Sequence, residues 1–224
     1  VTDPFTGAVL KASADVAVKS ADGLLTRLFG PAADELGQVL GAKAKAYRAR
    51  ELGSTVAEAS SRIREAGLEG SIEAIPFQTL YPILEGSSLV QDPTLKSLWA
   101  GLLANAAIGD SNATHPSFPR VLSELTPREA QMLATLHARG GKLMWHGLRQ
   151  EYAQTFACSH VDINAAQQNL FRLNLAITTS ANDAANVECL SVTDYGRSFL
   201  AAVQGPSVVN NDRGDLAPIS SSAA

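Results

Sequence analysis

Three groups of residues carry side chains that could do chemistry. The first holds His115 and Asn105. His115 opens a His-Pro-Ser-Phe run and could serve as a general base or a metal ligand. The nearest acid is Asp110, and no second His or Cys stands at ligand spacing, so this isolated His is a poor metal signal. Its expected role is to bond the backbone and lock the turn at Pro116 ahead of Phe118. Asn105 follows Trp99 on an apolar helix and points about 120° away from it. An unpaired buried amide is costly, so Asn105 is expected to bond a buried backbone group while Trp99 fills the core. A ligand contact in a helical pocket is the alternative.

The second group is Lys43, Lys45, Arg48 and Arg50, a basic helix end. A solvated face is the default, and an anionic partner (nucleic acid or a lipid head group) is the alternative. The third is a polar helix carrying His160, Asn164, Gln167, Gln168 and Arg172. Asn and Gln can read adenine edges, and Arg can read guanine or phosphate. Against that stand Asp162 at the start of the helix and an even charge balance over residues 126–203. DNA-binding modules carry a basic footprint, so a protein contact is the favoured use of this helix.

Composition sets the frame. The chain has 224 residues, with 18 basic against 22 acidic side chains and a net charge of −4. Its hydrophobic content is 46% and its aromatic content 6%, so Ala and Leu carry the core, which favours helix over sheet. Charge is uneven: residues 41–65 are locally basic and residues 66–125 locally acidic, with no stretch basic enough to announce nucleic acid by itself. The two cysteines, Cys158 and Cys189, are too few for a disulfide framework or a four-ligand zinc site and read as reduced, in keeping with a cytoplasmic protein. No signal peptide is visible. The longest apolar run, Leu98 to Ile108, falls short of the roughly 18 residues of a membrane span and contains Asn105. The chain opens on Val1 without methionine, which leaves room for a preceding segment.

Periodicity supplies the elements that must position these groups. Residues 1–30 are weakly helical, and Gly30-Pro31 breaks the pattern. One long helix, or two joined near Gly53, runs on to Gly67. Ala33, Gly37, Gly41 and Ala44 form a small-residue stripe on it, read as close packing of two helices in water, with a membrane contact after a trigger as the alternative. Pro82 starts or kinks a helix carrying Leu84 and Leu89. Asp92-Pro93 is an N-cap with Pro at the first helical position. Leu95, Leu98, Trp99, Leu102, Leu103 and Ala106 then form a buried stripe that Gly109 ends. Thr126-Pro-Arg-Glu129 is a capping box opening a helix to about Arg139, with Ala130, Leu133, Ala134 and Leu136 inward. Helices follow at about 145–156 and, from a cap at Ser159, to about Asn174. Two short β runs, Ala176–Thr179 and Val187–Val192, and a helix over Thr193–Val203 complete the order of a winged helix-turn-helix module. Residues 205–224 read as a disordered tail.

The run D-P-x-L-x-x-L-W-A-x-L-L-A-N-A from Asp92, then His-Pro-Ser-Phe, then the Thr-Pro-Arg-Glu-Ala helix start, resembles the Abi-alpha family. Residues 30–50, a Gly-Pro followed by a helix ending in Tyr-Arg, are similar to it as well. The resemblance covers about residues 28–140. It implies a bacterial role in abortive infection, in which an infected cell halts or dies before the phage can propagate. It carries no enzymatic activity and no catalytic residues. Trp99, Asn105, His115, Pro116 and Phe118 are carried over as signature positions.

The expected fold is mostly α, with a helical Abi-alpha-like domain over residues 1–124, a winged-helix-like domain with one β-hairpin over 125–204 and a tail over 205–224. No nucleophile, base and orienting group assemble from the sequence, so no catalytic residue, metal or cofactor is assigned. The expected function is non-enzymatic phage defence through macromolecular contacts, with a protein partner or self-association. A DNA-binding regulator using the C-terminal module, and a membrane-active toxin built on the N-terminal helices, are the alternatives.

Overall fold

The computed structural model describes residues 42–110, 115–180 and 188–206, with side chains from Arg50 onward. The expected helix over residues 1–30, the stripe from Ala33 to Gly41, the side chains of Lys43, Lys45 and Arg48, the hairpin turn at 181–187 and the tail beyond Pro206 lie outside the described residues. Eight helices are described: α1 (Ala42–Glu65), α2 (Phe77–Ser87), α3 (Pro93–Ala107), α4 (Phe118–Ser123), α5 (Pro127–Ala138), α6 (Trp145–Thr155), α7 (His160–Arg172) and α8 (Asp194–Gln204). Strands β1 (Lys142–Met144), β2 (Ala176–Ser180) and β3 (Glu188–Val192) form an antiparallel sheet in the order β1-β3-β2. The protein is mostly helical, with its small sheet on the C-terminal side. Among the described residues no helix is long and apolar enough to cross a membrane.

Helix α3 is the axis of the fold. Asp92 caps it by accepting from Leu95 N–H, and Pro93 occupies its first turn, where a missing N–H costs nothing. The expected one-sided stripe gives way to burial all round: every residue from Trp99 to Ala107 is buried. The reason is that α1, α2, α4, α5 and α8 all pack on this helix. The small residues opposite the large ones, among them Ala100, Gly101 and Ala104, let its neighbours come close. Leu98, expected inside, is only partly buried.

Two close approaches fix that packing. A Cβ on Gly101 would lie 1.9 Å from Val203 O of α8, and one on Gly86 of α2 would lie 2.4 Å from the Trp99 ring. Only glycine fits at either place. On the α1 side, buried Glu51 pairs with Lys96 of α3, and Val56, Ala59 and Ile63 enter the core. One contiguous set of buried residues runs from Val56 to Val203, so the N-terminal helices and the C-terminal module share a core.

Several local expectations change. Gly53 interrupts nothing, and α1 runs through it. Pro82 lies inside α2, which starts at Phe77. Its ring forfeits one bond, to the carbonyl of Gln78, and Gln78 is exposed, so water can serve that carbonyl. Leu89 falls beyond α2 and is 56% exposed. Ala134 faces solvent, and Met132 takes the inward position. The capping box at Thr126 and Glu129 forms, as does a second one at Ser159 and Asp162. Strand β1 is an addition to the hairpin: its three residues pair with β3, placing Leu143 opposite Leu190. Cys158 and Cys189 are both free thiols.

The two classes of glycine give opposite mutational signs. Gly101→Ala is expected to lose about 1–3 kcal/mol or more in urea unfolding, because the methyl group meets backbone. Gly53→Ala, with nothing within 4 Å of the new Cβ, should gain up to about 1 kcal/mol.

Candidate interaction surface

Asn105, one of the signature residues, belongs to a clamp on the end of α8. The last carbonyls of α8 have no partner within their own helix. Asn105 Nδ2 donates to two of them, Ala202 O at 2.9 Å and Ala201 O at 3.1 Å. Two carbonyl acceptors fix which way the amide faces. Arg62 of α1 reaches the same end, donating to Gln204 O at 3.4 Å while its other nitrogen bonds Glu58 and Ser97. A cation at a helix C-terminus also suits the helix dipole. Trp99 is fully buried on the same helix as Asn105, α3, and its Nε1 has no partner among the described residues.

His115 works at the other end of α8. The N–H of Ser117 donates to its Nδ1 at 3.3 Å. A backbone N–H can only donate, so Nδ1 is the bare, accepting nitrogen. The Ser117 hydroxyl, 2.6 Å away, therefore donates to Nδ1 and accepts in turn from the Tyr195 hydroxyl. Ser117 stands at the N-cap of α4, yet its side chain makes no cap; it is spent on this chain of bonds. Phe118 is buried against Tyr195 and Phe199 of α8, with ring centroids 5.5 and 5.6 Å away. Pro116 is exposed. The His-Pro-Ser-Phe turn thus docks on α8. The contributions of Ser117 and Tyr195 escape sequence reasoning, because Tyr195 lies 78 positions away.

The polar helix α7 keeps a different face outward. Ile163, Gln167 and Leu170 are buried, so Gln167 is withdrawn from any partner. Arg172 Nη1 pairs with Glu124 Oε2 at 2.7 Å, and its other nitrogens bond Asn169 Oδ1. Asn169 Nδ2 in turn donates to Glu124 O. Arg120 also bonds Glu124. The bonds from Arg172 first, and Arg120 second, hold the Glu124 carboxyl below the usual glutamate range. His160 Nδ1 accepts from Arg149 Nε of α6. The Ser159 hydroxyl and N–H hold Asp162 below the usual aspartate range. Asn164 and Gln168 remain exposed, in company with Ala165 and with Val161, which is 76% exposed. Beside them a shallow groove runs between the first turns of α5 and α7, lined by Pro127, Arg128, Ala165 and Ala166.

Arg50 is exposed at the basic end of α1. That stretch is not brought together with α7: α1 packs on α2 and α3, whereas α7 packs on α5, α6 and β2. Among the described residues, no three His, Cys, Asp or Glu side chains converge as a metal site.

The family model for abortive infection alpha matches residues 45–203. The chain belongs to the abortive infection alpha family. The match extends the resemblance seen over the N-terminal half through the sheet and α8, so the abortive infection alpha unit includes both the clamp and α7. No curated protein matches the chain, and no solved structure does.

The Glu124–Arg172 pair has a direct test. A lowered carboxyl pKa means the interaction is in place above the unfolded-state value and is lost as pH falls through the folded one. In an NMR titration, Glu124 should titrate below an exposed glutamate, and Arg172→Gln should move its midpoint upward. An unmoved midpoint would refute the pairing.

Proposed function

We propose that this abortive infection alpha protein acts in phage defence without chemistry of its own, by presenting the outer face of α7 to a protein partner. The family supplies the setting, a defence in which the infected cell halts or dies. One observation carries the choice of partner: Arg172, the sole Lys or Arg of α7, is spent on Glu124. A winged-helix-like module that reads DNA needs cations free to meet phosphate and base edges. Here Gln167 is buried, Asn169 is tied to Glu124 and Asp162 guards the start of the helix.

What remains outward suits a protein. Val161 and Ala165 lie one turn apart, flanked by Asn164 and Gln168, and Ala165 lines the groove over Pro127. An apolar side chain of the partner would seat against Val161 and Ala165, with polar bonds at the rim, the usual division within a protein interface.

Val161→Glu tests this, because Val161 is exposed and the variant keeps the fold. Loss of an interface anchor costs about 1.4 kcal/mol or more, which is about tenfold in affinity. Phage plating on cells expressing Val161→Glu should therefore rise toward that on unprotected cells, at unchanged protein level. In parallel, duplex DNA at low salt should give no gel shift. A salt-dependent shift weakened by Gln168→Ala, or full protection by Val161→Glu, would overturn the proposal.

A further inference from the structure

The outer face of α2 and the turn just past it carry two of the exposed large apolar residues. Phe77 and Leu89 are 58% and 56% exposed, and between them stand Tyr81 and Glu85. The four follow one another at i, i+4, i+8 and i+12, the last lying just past the end of the helix, so they form a single ridge. Gln78 and Pro82 flank it. The rings of Phe77 and Tyr81 are 5.6 Å apart, centroid to centroid. The Tyr81 hydroxyl reaches Glu85 Oε1 only at 3.5 Å, a long bond for a phenol and a carboxylate. Glu85 is the one charged residue of α2.

Read in either direction, this ridge complements itself. Laid antiparallel against a second copy, with the two-fold axis passing midway between Tyr81 and Glu85, Phe77 meets Leu89 and Tyr81 meets Glu85. Apolar groups cover apolar groups at both ends. At the centre each tyrosine donates to the other chain's carboxylate, replacing the long bond within the helix by one free to shorten. No like charges oppose each other directly, and the same patch serves both subunits, as a two-fold interface requires.

We infer that α2 is a self-association surface, and that two copies of this chain pair antiparallel through Phe77, Tyr81, Glu85 and Leu89. The inference stands apart from the α7 reading, since it uses a different helix. The patch is small, so the dimer is weak and depends on concentration.

Sedimentation equilibrium of the full chain tests it across the micromolar range. The apparent mass should climb from one chain toward two as concentration rises. Phe77→Glu alone and Leu89→Lys alone should each stay monomeric, while an equal mixture of the two should dimerise. In the mixed pair the introduced carboxylate of one chain meets the introduced ammonium of the other, and at the opposite end the native Phe77 still meets the native Leu89. Both positions are exposed, and circular dichroism checks that the variants are folded. Met144→Glu, at another exposed apolar residue, should behave as the unaltered chain does. A monomer at every concentration, a dimer that Phe77→Glu leaves intact, or a mixture that fails to pair would each overturn the inference.

Discussion

The fold depends on how the C-terminus of one short helix is satisfied. Helix α8 ends on carbonyls that have no partner within their own helix, and that of Ala202 is buried away from water. Asn105 provides two N–H bonds from the buried centre of α3, and Arg62 provides another from α1. The bonds require α3 and α8 to touch, which only a glycine at position 101 permits. Amide, arginine and glycine thus act as one device. It ties the final helix of the C-terminal module to the N-terminal helices and accounts for a core that runs without a break from Val56 to Val203.

That device also sorts the surface. Residues that clamp α8 are committed to bonds within the fold: Asn105 is buried, and Arg62 is shared among Gln204, Glu58 and Ser97. The His-Pro-Ser-Phe turn is committed in the same way, through Ser117 and Tyr195 to α8. Among the described residues, those at the periphery stay available, including the outward side of α7, the exposed ridge of α2 and, at the basic end of α1, Arg50. Of these, α7 lacks the free cations that nucleic acid demands, and α2 carries a ridge that matches itself.

Local signals in the sequence were reliable because their partners are close by. Asp92, Thr126 and Ser159 each cap a helix by reaching residues three positions ahead, and all three starts form as expected. Other features depend on distant residues and leave no local trace. Strand β1 is three residues long and exists because β3 pairs with it. The polar groups of α7 read as available, yet Arg172 meets Glu124 at the end of α4 and Gln167 turns inward, facts that belong to the packing of α7 on its neighbours. Asn105 could be assigned a buried backbone partner on energetic grounds, but not which one, since its acceptors lie 96 and 97 positions along the chain. The burial of α3 on every side was hidden for the same reason: its small residues reveal their purpose only when α8 lies against them.

Asn105 holds the fold, and the contact we propose for defence lies elsewhere on the molecule, on α7. Asn105→Ala separates the two. Removing its bonds strands the buried carbonyl of Ala202 at a cost of about 1–3 kcal/mol. The decisive measurement is phage protection by this variant across growth temperatures, set against its folded fraction at each temperature. Protection should track the folded fraction and return to the unaltered level where the variant is fully folded. A fully folded Asn105→Ala protein that gives no protection would contradict the account and place Asn105 in the working site.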